Sequence, residues 1–122
     1  MKRSMFQTYV KGSGRAVALY QAAFDAELLD SYLNEDGTYY HSELDVYGQI
    51  LAVSEAAEEP VPGSVMQFCL HFEEGEEAQV RRAYEALKEG GDILFPLGPC
   101  DYSPLMADVV DRFGVRWCVF VC

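Results

Sequence analysis

The chain has 122 residues, 50% of them hydrophobic and 24% charged, which is the balance of one globular domain and excludes disorder and collagen-like repeats. No apolar run approaches the roughly 20 residues that cross a bilayer. Nine Lys and Arg against 20 Asp and Glu give a formal net charge of −11, so neither nucleic acid nor an anionic membrane is an expected partner.

Phe6 to Val10 alternates as a short strand, and Lys11-Gly12-Ser13-Gly14 turns the chain. Arg15 to Asp25 is helical, because Ala16, Leu19, Tyr20, Ala23 and Phe24 recur at spacings of three and four. Glu27 to Leu33 reads as a strand closed by the turn Asn34-Glu35-Asp36-Gly37. Tyr39 to Tyr47 alternates again, with Tyr40, Ser42, Leu44 and Val46 on one face and Tyr39, His41, Glu43 and Asp45 on the other. Gly48 turns the chain into an apolar strand, Gln49 to Ser54, and Glu55 to Gly63 is a linker.

Val65 to Phe72 is the next strand. Acidic residues at 73–76 suit a helix start, and Val80, Ala83, Tyr84 and Leu87 form its apolar stripe. Gly90-Gly91 ends that helix. Asp92 to Phe95 is a strand, Pro96 to Pro104 a stiff loop, Met106 to Val110 a strand, residues 111–114 a turn, and Val115 to Val121 the closing strand.

The order is strand, helix, three strands, twice over. Adjacent strands after each helix predict an α+β fold, with antiparallel sheets carrying a helix on one face. The other face is then left for a partner subunit or a cavity, and a cavity is where function would sit.

The start MKRSMFQTYV lacks a signal-peptide apolar stretch, which predicts a cytoplasmic protein. Cys69, Cys100, Cys118 and Cys122 form no CxxC pair. The default role of those in apolar strands is that of a small buried hydrophobe.

Five segments, in this order, carry a resemblance. They are Ala18-Leu19-Tyr20-Gln21, Asp25 to Leu29, Tyr40-His41-Ser42-Glu43-Leu44, Gly48 to Ala56, and Asp111-Arg112-Phe113-Gly114-Val115-Arg116-Trp117. Together they resemble the vicinal oxygen chelate superfamily of glyoxalase I, fosfomycin-resistance enzymes, bleomycin-binding proteins and extradiol dioxygenases. Within it they are most similar to the PhnB-like branch, labelled as related to 3-demethylubiquinone methyltransferase. The resemblance implies a single domain over residues 1–122, built from βαβββ modules at about 5–57 and 64–122. The modules would form an open, barrel-like, mostly antiparallel sheet with helices outside, in a homodimer. It implies no single reaction.

Catalytic relatives hold a divalent metal through His, Gln or Glu on the first and last strand of each module. By that resemblance the ligand lies four residues after the turn glycine, which gives Cys118 after Gly114 and Ala52 after Gly48. The first-strand positions fall on Gln67 in the second module and on Phe6 or Gln7 in the first. Alanine donates nothing, and amides with one thiol suit a hard cation poorly. No metal and no other cofactor is therefore expected, and Cys118 lacks partners in register for a softer ion.

The residues themselves offer other chemistry. His41 and Glu43 share a strand face, as a general base or ligand contact, or as an exposed pair in solvent. Gln67, Cys69 and His71 share the face opposite Met66, Phe68, Leu70 and Phe72. Cys118 is a buried thiol rather than a nucleophile unless a base lowers its pKa. Phe120, with Tyr39, Phe95 and Tyr102, has the character of an apolar pocket wall. The ligand-binding candidates are thus His41, Glu43, Gln67, Cys69, His71, Cys118 and Phe120. The expectation is a protein that binds a small organic molecule in the concave sheet cavity, and whether it is an enzyme stays open. The alternatives are a metal-dependent lyase, isomerase or dioxygenase, and a drug-sequestering resistance protein.

Overall fold

A computed structural model describes residues 1–122. The chain divides into two compact modules, Met1–Val61 and Pro62–Cys122. The first contains β1 (Phe6–Val10), α1 (Ser13–Phe24), β2 (Glu27–Leu33), β3 (Tyr39–Val46) and β4 (Gln49–Glu55). The second contains β5 (Phe68–Phe72), α2 (Glu77–Leu87), β6 (Asp92–Cys100), β7 (Ser103–Val110) and β8 (Arg116–Val121). Each is a βαβββ unit, so the fold is α+β as the sequence predicts. No helix is long and apolar enough to cross a membrane.

The two sheets have matching topology. In the first module the order is β1-β4-β3-β2, and in the second β5-β8-β7-β6. Within each, the first strand pairs parallel with the last and the remaining pairs are antiparallel. Both sheets are open four-stranded arrays.

Pleat parity decides which face of the first sheet is dry. Val10, Leu44, Val46, Leu51 and Val53 are buried and pack with the apolar stripe of α1, where Ala16, Leu19, Tyr20, Ala23 and Phe24 are buried. In the second module Val80, Ala83 and Leu87 of α2 lie over Ala107, Val109, Trp117, Val119 and Val121. Trp117, fully buried, stacks on Phe68 with ring centres 4.8 Å apart.

Helix α1 has no cap of its own, because Gly12 precedes it. Instead Glu55 at the end of β4 accepts the N–H groups of Gly12 (3.1 Å) and Ser13 (2.9 Å). Burial works against the charge of Glu55, but these N–H groups outweigh it and its pKa is lowered. Glu55→Gln is expected to lower the stability by about 1 kcal/mol, read as a shift of the urea midpoint at unchanged slope.

Two strand boundaries differ from expectation. The segment Pro96 to Pro104 is not a loop: β6 runs through Pro96 and Pro99 to Cys100, and β7 begins at Ser103. Proline lacks an N–H for the ladder, which breaks a central strand but not an edge strand. β6 is the sheet edge, and its register slips three times along β7 to accommodate them. Strand β5 starts at Phe68, three residues later than the alternation implies, since the partner β8 offers no pairing before Trp117.

The punctuating glycines act differently in the two halves. Tyr47 (φ 51°) and Gly48 (φ 91°) form the two-residue hairpin turn between β3 and β4, a backbone that glycine adopts without strain. Gly91 stands where a Cβ would lie 2.2 Å from the Val110 carbonyl oxygen, so only glycine lets the start of β6 approach the end of β7.

Candidate functional site

The sheet face of the first module that α1 leaves free is built by register. Gln7 pairs with Ala52 and Tyr9 with Ser54 across β1 and β4, Glu43 pairs with Ala52 across β3 and β4, and Tyr32 pairs with His41 across β2 and β3. A cavity of about 870 Å³ opens there. Tyr9, Tyr32 and Tyr40 supply its aromatic surface, and His41, Gln7, Asn34, Thr38 and Ser54 supply polar groups. Two carboxylates, Asp36 and Glu55, line it, and no Lys or Arg does.

These polar groups are held in place. Gln7 Nε2 donates to Ser54 Oγ at 3.0 Å. The Thr38 hydroxyl and then the Thr38 backbone N–H bond to Asp36 and lower its pKa. The Tyr32 ring lies 6.5 Å from the His41 ring.

His41 and Glu43, expected on one face, are joined by a hydrogen bond of 2.8 Å from His41 Nε2 to Glu43 Oε2. Glu43 also receives a two-pronged pair from Arg3, with Nη1 to Oε1 at 2.6 Å and Nη2 to Oε2 at 3.0 Å. Glu43 is 7% exposed, and the Arg3 bond, followed by the His41 bond, pulls its pKa down to about 2 against burial. An ionised carboxylate only accepts, so Nε2 carries the proton and donates it to Oε2. No protein group bonds Nδ1. Arg3 has no signal in the sequence beyond its charge. It lies before β1, in a stretch with no pattern.

The second module brings together the other candidates. Cys69 pairs with Cys118 and His71 with Phe120 across β5 and β8. Gln67 Nε2 lies 3.6 Å from Cys69 Sγ, and the His71 and Phe120 rings stack with centres 4.6 Å apart. Tyr102 meets Phe120 edge-on at 5.3 Å, and its hydroxyl is 3.8 Å from Cys118 Sγ. That contact, with burial, pushes the Tyr102 pKa up to about 12. Burial raises the Cys118 thiol, as suits a protonated thiol and not a nucleophile. On the same face Arg116 grips Asp108 through Nε–Oδ1 (3.0 Å) and Nη2–Oδ2 (2.7 Å).

The four positions that the resemblance assigns to a divalent metal fit one poorly. In the first module Gln7 faces Ala52, which has no donor atom. In the second, Gln67 precedes β5 and Cys118 is a buried thiol with a raised pKa. A hard cation needs charged oxygen donors, and none stands at these positions. The structure contains no group of three or more His, Cys, Asp or Glu arranged to hold a metal ion.

Tyr9, Tyr32, Asp36 and Glu55 went unread as cavity residues. For Tyr9 the signal existed, since it alternates with the buried Val10 on β1. Asp36 and Glu55 sit in segments that sequence marks only as turn and linker.

Residues 4–119 match the family model described as Glyoxalase/Bleomycin resistance protein/Dioxygenase superfamily. The chain is similar to the PhnB protein from Bacillus cereus, with a TM-score of 0.82, 20% identity, and 99% of this chain and 100% of that one covered. It is similar to protein PA1353 from Pseudomonas aeruginosa, with a TM-score of 0.81, 23% identity, and 99% and 98% covered. The fosfomycin resistance protein FosX from Listeria monocytogenes shares the fold at a TM-score of 0.73 and 14% identity, with 97% and 91% covered. No protein of curated function matches the chain.

Proposed function

The chain belongs to the Glyoxalase/Bleomycin resistance protein/Dioxygenase superfamily, and on that premise we propose that it is a PhnB-like binding protein for a small organic cation. The observation that carries this is the cavity of the first module: three tyrosines and two ionised carboxylates around about 870 Å³, without a Lys or Arg in the lining. A quaternary ammonium gains from tyrosine faces and from negative charge together. The net charge of −11 draws such a ligand in. Binding is independent of a metal, because the donor set at the four relevant positions suits none. The protein works in the cytoplasm as a homodimer. The exposed apolar residues of the edge strands, Leu29 and Leu33 on β2 and Ile93 and Leu94 on β6, support the pairing of copies.

The test is calorimetric titration with benzyltrimethylammonium and, as neutral control, benzyl alcohol, on protein purified without chelator. The expected outcome is saturable binding of the cation, little of the alcohol, and a loss of about tenfold in Tyr32→Leu. Light scattering on the same sample is expected to read the mass of two chains. Equal binding of both probes removes the cation reading. Stoichiometric Ni, Mn, Fe or Zn that survives dialysis removes the metal-free one.

A further inference from the structure

Cys118 gains from the fold a neighbour that its place in the sequence does not announce. Parallel pairing of β5 with β8 sets Cys69 directly beside it, and pleat parity turns both side chains to the face that α2 leaves free. Neighbouring strands lie about 4.8 Å apart, a span that two directly paired thiols on one face can close around one ion. Gln67 Nε2 contacts the Cys69 sulfur, and the Tyr102 hydroxyl reaches Cys118. Arg116 shares this face and is bound to Asp108, which pairs with Cys118 across β7 and β8. Cys69 is exposed and gives access, while Cys118 is 5% exposed and gives a dry second ligand.

We propose that Cys69 and Cys118 form a two-thiol site for a soft, two-coordinate cation of the Cu(I) and Ag(I) class. Thiolates select such ions over hard ones, and two-coordinate binding needs no third side chain. On binding, two metal–sulfur bonds form and both thiols release their protons to solvent, with no change of oxidation state. The resulting pair carries one net negative charge. The site lies wholly in the second module and does not depend on the cavity of the first.

The experiment uses the reduced, chelator-treated full chain and Ag(I), which undergoes no redox cycling. Native mass spectrometry counts the ions, and iodoacetamide followed by peptide mapping shows which thiols stay free. The first equivalent is expected to add one Ag(I) per chain and to protect the exposed Cys69, while Cys122 still alkylates. Cys69→Ser should weaken this binding at least about a hundredfold, since losing a ligand exceeds the 10–100-fold cost of losing an outer-sphere partner. Cys100→Ser and Cys122→Ser should leave it unchanged. Cys118→Ser is buried and risks the fold, so the exposed Cys69 variant carries the test. A first equivalent that protects Cys122 instead, or that weakens less than about tenfold in Cys69→Ser, overturns the proposal.

Discussion

Replacing Asp111 by alanine is expected to remove about 3–5 kcal/mol of unfolding free energy. Asp111 is 2% exposed. Its Oδ1 accepts the N–H groups of Phe113 (2.9 Å) and Val115 (3.1 Å), and its Oδ2 accepts the indole N–H of Trp117 at 2.9 Å. Its own backbone N–H donates to the Val115 carbonyl at 2.8 Å. One carboxylate thus ties the turn before β8 to the largest fully buried side chain of the protein. Alanine leaves three donors without an acceptor, the indole among them in a dry core. Asp111→Asn should cost about half as much, because its amide keeps one oxygen but turns an NH₂ toward a donor. Urea unfolding followed by the fluorescence of the single tryptophan measures both. A loss below about 1 kcal/mol for the alanine variant would mean that the turn holds without its anchor.

The second large effect depends on pH. The folded pKa of Glu43 is about 2, against 4.5 for an ordinary glutamate, chiefly because of Arg3. The stability this contributes is fully present above pH 4.5 and is lost as the pH falls through 2. Arg3 is half exposed, so water screens the pair and its contribution falls well below the full value of the shift. Arg3→Ala should therefore be less stable than wild type at pH 7. It should also lose less stability than wild type between pH 5 and pH 2, because its Glu43 already titrates nearer the ordinary value. Parallel wild-type and variant curves across that interval would sink the assignment.

The legible parts of the fold were those whose pattern has a period. β1 and β2 match their expected bounds residue for residue, and α1 and α2 match their apolar stripes to within two residues. The parity of β3 set His41 and Glu43 together and opposite Leu44 and Val46 before any coordinates. Pairing between distant strands left no such trace. Nothing local in Cys69 points to Cys118, and nothing in Arg3 points to Glu43, because both contacts depend on which strands lie side by side. β6 was hidden by its prolines, whose meaning reverses when the strand has only one neighbour. The closing segment from Asp111 to Trp117 was recognisable as a motif, but its letters do not reveal that Asp111 accepts three hydrogen bonds.

The parallel pairing of each module's first strand with its last has a consequence for biogenesis. Phe6 waits for Leu51 and Val10 for Glu55, so the leading sheet is finished only when β4 leaves the ribosome. That moment precedes synthesis of β8, which Phe68 in turn must await. The nascent chain therefore assembles in two instalments, and the slow step of each is the search that pairs its first strand with its last.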